Sequence, residues 1–362
     1  MADIAQFSGA MLQRLVKLIK DEAASLPEKP RFMEVCGTHT VAIFRSGIRQ
    51  LLDGYVELCS GPGCPVCVTP DLIIDQAIEY ARQGCILTSY GDMLRVPGSE
   101  TSLLGVRANG AEVKVVTSPL EALAVAVANP EKTVLFLAVG FETTAPGTAL
   151  LLEQVIEQKI SNLKLLLGHK LIPPAMAVLV GDRQQQISGF ICPGHVAAVT
   201  GIRPFQALSA EYKIPCVVAG FETYDLLITI LMLIRQLQAE RVTTENEYQR
   251  VVKPEGNPLA LSLIDRYFEL SDTDWRGFGS IGQSGLRLRP EYQGYDALRT
   301  IPVTVVATPV NQACRCGEVL RGMVTPPQCP LFGTVCTPQS PVGPCMVSGE
   351  GVCLIYFRYS GC

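Results

Sequence analysis

The chain lacks an excess of basic charge, a secretory leader pattern, a bilayer-length apolar run and a phosphate loop. Its 30 Lys and Arg against 34 Asp and Glu leave a formal charge of -4, which gives no basic footprint for nucleic acid and no polybasic membrane signal. The opening stretch MADIAQFSGAMLQRLVKLIKDEAASLPEKP does not run from charged to apolar to small residues as a signal peptide does. It reads as an amphipathic helix with Met11, Leu12, Leu15, Val16, Leu18 and Ile19 on one face. The longest apolar run, around Leu226 to Ile234, is too short to cross a bilayer. No GxxxxGK followed by Ser or Thr occurs. Histidine is scarce, with only His39, His169 and His195, and all three stand in Gly- or Pro-bearing turns that suggest a shared cleft. The expectation is a soluble, cytoplasmic protein that engages neither nucleic acid nor membrane.

Cysteine, by contrast, is abundant. There are 14, and seven of them (Cys314, Cys316, Cys329, Cys336, Cys345, Cys353 and Cys362) fall in the last 49 residues. In a reducing compartment such clusters point to metal or redox chemistry rather than to structural disulfides. Cys59, Cys85 and Cys216 sit singly in apolar stretches and read as small buried hydrophobes.

A chain of 362 residues predicts two or three domains. After the first helix, short apolar strands alternate with helical patterns: RFMEV, GCILTSY, AEVKVV, KTVLFLAVG and IPCVVAG are each followed by a loop and a helix. That cadence argues for α/β architecture, with two similar parallel-sheet units whose sheets are covered on both faces, and a separate cysteine-rich iron–sulfur region. The expected domains are 30–119, 120–238, and 1–29 joined with 239–362. VGFETT at 139–144 and AGFETY at 219–224 echo each other at strand exits. They mark equivalent crossovers, or else only turns in which Thr caps a helix and Glu favours its first turn.

In open parallel sheets functional groups gather at the carboxyl ends of strands, and four motifs fall there. Cys36-Gly37-Thr38-His39 places a thiol three residues from an imidazole, fit for a nucleophile or a soft metal ligand. In GPGCPVCVTP, residues 61–70, glycines and prolines hold Cys64 and Cys67 on a tight turn before a helix, with Thr69 as its cap and Pro70 as its first residue. That pair is read as a redox or metal-handling dithiol, with structural zinc as the rival. The third motif is Gly168-His169-Lys170 with Ile172-Pro173-Pro174, and the fourth is Cys192-Pro193-Gly194-His195. Near the C-terminus, the spacing of Cys314, Cys316, Cys329, Cys336, Cys345 and Cys353 matches neither common zinc fingers nor the bacterial ferredoxin run. Four thiolates suit a cubane iron–sulfur cluster, and six leave two over for a redox pair beside it.

CGTHT, GPGCPVCVTPD, GFETTAPGTA, GHKLIPPAM, PGHVAAVTG and CRCGEVLRG…CPLFGTVCTPQSPVGPCMVSGEGVC together resemble the HypD family of hydrogenase maturation factors, from about residue 30 to the end. The resemblance implies a scaffold on which the iron dicyanide carbonyl group of nickel–iron hydrogenases is assembled. It implies a HypC-like chaperone and a HypE-like cyanide donor as partners. Carried over to this chain, Cys36 would bind the iron and His39 would share its motif. Cys64 and Cys67 would be the essential Cys-x-x-Cys pair. Glu142 and Thr143, with His195, would line the same cleft. Cys314, Cys329, Cys336 and Cys353 would hold a 4Fe-4S cluster, with Cys316 and Cys345 as the adjacent redox pair. Spacing alone does not separate Cys314 from Cys316 as ligand, and the pattern gives Cys362 no role. A stand-alone iron–sulfur dithiol oxidoreductase, and a structural zinc protein with a ligand-binding α/β part, are the competing readings.

Overall fold

The computed structural model describes residues 9–182, 186–305 and 313–359. In chain order the first strands are β1 (Arg31–Glu34), β2 (Glu57–Ser60), β3 (Ile86–Ser89), β4 (Val113–Val115), β5 (Val134–Gly140) and β6 (Leu163–His169). Then follow β7 (Gly189–Pro193), β8 (Cys216–Ala219), β9 (Thr244–Asn246), β10 (Phe268–Trp275) and β11 (Gly279–Leu288). The chain divides into two units, one running to Gly63 and resuming over Met176–Asn257, the other formed by Cys64–Ala175 and the segment from Pro258 onward.

The first unit is built on a parallel sheet of order β2-β1-β7-β8-β9. β7 and β8 are buried along their whole length, as strands covered on both faces must be, and this is why they read as continuous apolar runs. Its core joins Phe32 and Ile191 of the sheet to Ile43, Leu226, Ile230 and Leu233 of the covering helices. The helix Gly9–Ala23 belongs here. Leu15, Val16 and Ile19 are buried in that same core, and Glu22 pairs with Arg235 of the helix Thr223–Gln238 at 2.7 Å. The apolar face is narrower than its sequence suggested, since Met11 and Leu18 are exposed.

The second unit carries a parallel sheet of order β4-β3-β5-β6. β10 and β11 add an antiparallel hairpin, paired from Phe268↔Leu288 to Trp275↔Gly279. Phe268, Leu286 and Leu288 of the hairpin share a core with Phe136, Ala138 and Leu165 of the sheet. The cysteine-rich segment has a small apolar cluster of its own, built on Met346 and Leu354 with Leu331 and Phe332 against them.

The two parallel-sheet units and the cysteine-rich region are as expected, but their division along the chain is not. The block 30–119 would join β1 and β2 to β3 and β4, which lie in different sheets. The block 120–238 would likewise join β5 and β6 to β7 and β8. The chain leaves the first sheet after β2, lays down the whole second sheet, and returns through the helix Ile172–Gly181. Residues 1–29 and 239–257 were expected with the cysteine-rich region. The described part of the first packs on the helix Thr223–Gln238, and the second supplies the edge strand β9. Apolar burial decides the first case, because Leu15, Val16 and Ile19 find their core in the first unit, and the backbone pairing of β9 with β8 decides the second. Cys362 lies outside the described residues.

Candidate functional site

In the first unit β1 delivers the chain to Cys36, a buried residue that caps the helix Gly37–Arg45 with an extended backbone (φ -149°, ψ 125°). The strand end is fixed by Glu34, which is fully buried. Its Oε1 accepts from Arg49 Nη2 at 2.6 Å and from Ser60 Oγ at 2.7 Å. Burial raises the Glu34 pKa, and the Arg49 charge opposes the rise. The Gly61-Pro62-Gly63 loop is clasped onto this exit: Gly61 N donates to Glu34 O at 2.8 Å, and Gly37 N donates to Gly63 O at 3.0 Å. A β-carbon at position 63 would meet the Cys36 nitrogen at 2.3 Å, so the close approach of two backbones imposes glycine there.

His39, in the first turn of the same helix, donates from Nε2 to Gly220 O across 3.0 Å. Its ring stacks on Phe221 at 4.6 Å, and His195 stacks on Phe221 at 3.8 Å. Burial pulls the His39 pKa down to about 4, which keeps the ring neutral at pH 7. Burial lowers His195 as well. Two of the three histidines are thus joined through one phenylalanine of the AGFETY echo, while His169 belongs to the second unit.

In the second unit Cys64 and Cys67 are joined as a disulfide, with their Cα atoms 5.3 Å apart. Both are buried. Cys64 caps a helical turn, Pro65–Val68, that contains Cys67, and Cys67 N–H donates to Cys64 Sγ at 3.2 Å. This corrects the expected capping. Thr69 Oγ1 turns back to Pro65 O at 2.8 Å, and Pro70 is the cap, not the first residue, of the helix Asp71–Arg82. The turn Pro65–Val68 rests on β5 and on the turn Pro344–Met346, which bears Cys345.

Cys314, Cys316, Cys329, Cys336, Cys345 and Cys353 line a single pocket walled by Leu331, Phe332 and Met346. Cys316 and Cys345 stand with sulfurs 3.0 Å apart. Hydrogen bonds from Cys314 and Cys345 hold the Cys316 thiol well below its ordinary pKa against the penalty of burial, with the Arg276 charge adding to the effect. Cys345 is driven up by its contacts with Cys316 and Cys353 and by burial. Gly343 leaves space at the wall, since a β-carbon there would stand 3.1 Å from Cys314 Sγ. Among the described residues no three His, Cys, Asp or Glu side chains are arranged to hold one metal ion. Six thiols spread around an apolar pocket are enough for a multi-iron cluster, which four cysteine thiolates hold. The donor set therefore fits the group the sequence implied.

The echoing GFET motifs do different work. Glu222 caps its own helix in a reciprocal box with Asp225, the plain structural reading. Glu142 instead accepts from Ile172 N–H at 2.9 Å, while its Oε2 has no hydrogen-bond partner. Burial pushes Glu142 up to about 7, and Thr143 beside it is exposed. His169 shares a hydrogen bond with Thr148 Oγ1 at 2.9 Å, and burial lowers its pKa to about 4.

The sequence reading missed a hub. Trp275, at the end of β10, stacks on Phe141 with ring centres 6.0 Å apart, and Lys170 Nζ lies 5.6 Å over its indole. Buried Lys170 also donates to Asp274 O at 2.7 Å and to Thr273 Oγ1 at 3.3 Å, and burial lowers its pKa to about 8. The hairpin thus gathers the GFETT and GHK motifs. Two signals were available, the chain's single tryptophan and the glycines of Trp-Arg-Gly-Phe-Gly, a turn composition that closes hairpins.

Strand-exit thiols, a Cys-x-x-Cys disulfide and a six-cysteine pocket on two parallel-sheet units define a cysteine-rich α/β protein. The HypD family model, described as "Hydrogenase formation hypA family", matches residues 10–360. The chain is 44% identical over 360 residues to the hydrogenase maturation factor HypD of Azotobacter vinelandii (97% of this chain, 94% of that one). It is 42% identical over 357 residues to that of Escherichia coli K12 (96% and 95%), and 42% identical over 350 residues to that of Rhodobacter capsulatus (95% and 93%). The chain belongs to the HypD family, and its role is in hydrogenase maturation. No helix among the described residues is long and apolar enough to cross a membrane.

Proposed function

We propose that this chain is the scaffold and redox factor on which the iron dicyanide carbonyl group of nickel–iron hydrogenases is assembled, working in the cytoplasm with a HypC-like chaperone and a HypE-like cyanide donor. One observation carries the reading: the turn bearing the Cys64–Cys67 disulfide rests on the turn bearing Cys345, whose sulfur is 3.0 Å from that of Cys316. This contact places a disulfide beside a thiol pair within one unit.

Cys36 is the protein's thiolate for the iron cargo, a soft ligand suited to low-spin iron, and neutral His39 fixes the first turn behind it. Cys314, Cys329, Cys336 and Cys353 would hold a 4Fe-4S cluster, which when bound supplies single electrons to its surroundings. The protein's own exchange step needs no other reductant. The Cys316 thiolate attacks one sulfur of the Cys64–Cys67 disulfide and displaces the other as thiolate. Cys345, after losing its proton, then attacks Cys316 in the mixed disulfide. The Cys316–Cys345 bond closes, Cys64 and Cys67 are left reduced, and two electrons and two protons have changed hands in balance.

The test is infrared spectroscopy of the anaerobically purified protein with its small partner. Metal-bound cyanide and carbonyl stretches that disappear in Cys36→Ala are the expected result. A silent spectrum at full iron loading with partner bound would instead favour a stand-alone dithiol–disulfide oxidoreductase.

A further inference from the structure

Between the disulfide segment and the thiol pair stands Arg276, at the tip of the β10–β11 hairpin. Its backbone N–H donates to Val68 O at 2.9 Å, its Nε donates to Thr69 O at 3.0 Å, and its Nη2 pairs with Asp71 Oδ1. All three partners lie within four residues of Cys67. The side chain is only 10% exposed, so these are enclosed contacts rather than a surface ion pair. The next residue, Gly277, faces the other cysteine pair. It has a positive φ of 84°, and a β-carbon on it would meet Gly317 Cα at 2.4 Å. Gly317 directly follows Cys316. Two adjacent residues of one hairpin tip thus hold the Cys-x-x-Cys segment on one side and the Cys316 segment on the other.

We propose that Arg276 is a positioning residue for thiol–disulfide exchange: the hairpin tip holds the Cys64–Cys67 segment in register with the Cys316–Cys345 pair. The inference rests on the exchange reading above. In-line attack of one sulfur on a disulfide is geometrically demanding, and a misplacement of about 1 Å in such a step costs up to roughly a hundredfold in rate. The Arg276 fork satisfies two successive acceptors just beyond the disulfide turn, which a lysine ammonium matches only in part. Asp71 in turn fixes the guanidinium plane.

The full-length, iron-loaded protein is reduced anaerobically and given one equivalent of a small disulfide oxidant. Samples are quenched with an alkylating reagent over time, and peptide mapping gives the share of chains closed at each cysteine pair. In the wild type the closed bond redistributes between the pairs. In Arg276→Gln the redistribution slows by roughly tenfold to a hundredfold, while visible absorbance stays at the wild-type value and the melting temperature falls no further than in Asp71→Asn, which breaks the same ion pair. Arg276→Lys recovers part of the rate, and Asp71→Asn, which leaves the arginine in place, slows it less than Arg276→Gln. Wild-type rates in both Arg276→Gln and Asp71→Asn would overturn the assignment. So would a loss of melting temperature with unchanged exchange, which marks a merely structural residue. If the closed bond never redistributes even in the wild type, the exchange reading itself fails, and Arg276 loses this role with it.

Discussion

Gly63 and Cys36 touch backbone to backbone: a β-carbon on Gly63 would lie 2.3 Å from the Cys36 nitrogen and 2.4 Å from its Cα. Neither group can swing away, because both are main chain. Gly61 is different, since its β-carbon would first meet the Met33 sulfur at 2.8 Å, the far end of a flexible side chain. Gly63→Ala is therefore expected to cost about 1–3 kcal/mol and Gly61→Ala less. Urea unfolding of the two variants checks the ranking, and equal costs would mean that the Cys36 turn yields more easily than its packing implies.

Glu142 makes stability depend on pH in a defined window. Its carboxyl is raised from 4.5 to about 7 by burial, so between those values the folded protein holds a proton that the unfolded chain releases. Its contribution is complete below pH 4.5 and is lost as pH rises through 7, with a span of about 3 kcal/mol. Glu142→Gln keeps the acceptor for Ile172 N–H and removes the titration. The variant should match the wild type at low pH and exceed it above neutrality. Stability curves that run parallel from pH 5 to 8 would show that Glu142 titrates near its ordinary value.

The alternation of apolar strands with helical patterns made both parallel sheets legible, because buried strands must be apolar throughout. Their assignment to units was not legible. A strand's composition states that it is buried but not which neighbour covers it, and here β1 pairs with β7 across more than 150 residues of chain. The cysteine pocket was legible from density of one residue type, and the Cys64–Cys67 pairing from its turn. The role of Phe221 between His39 and His195, and of the Trp275–Gly277 tip, was hidden, since each depends on contacts remote in sequence. The hairpin also shows only weak alternation, as β11 exposes Gly282 and Gln283 in mid-strand.

The six pocket cysteines should separate into two classes on substitution. Cys314→Ser, Cys329→Ser, Cys336→Ser and Cys353→Ser are each expected to lower bound iron and sulfide and to bleach visible absorbance. Cys345→Ser is expected to keep the cluster and lose only the thiol pair it forms with Cys316. Cys59→Ala serves as the control, its thiol being buried and pushed up to about 12. Iron and acid-labile sulfide assays decide the matter. Loss of iron in Cys345→Ser with retention in Cys314→Ser would exchange the two roles.

Glu34 and Arg49 make the last case, because their pairing anchors the strand that presents Cys36. The Glu34 side chain is wholly buried and that of Arg49 is 17% exposed, with nitrogen and oxygen 2.6 Å apart. Such a pair adds little net stability, since the Coulombic gain is spent against desolvation, yet breaking it from one side strands a charge. Arg49→Ala leaves the buried Glu34 carboxylate without its charge partner and should cost about 3–5 kcal/mol. Adding Glu34→Gln to that background removes the stranded charge, so the double variant should be more stable than Arg49→Ala despite carrying one more substitution. A double-mutant cycle in urea reads the coupling directly. If the two costs simply add, water reaches Glu34, and the strand end is held by Ser60 and the Gly61 amide rather than by charge.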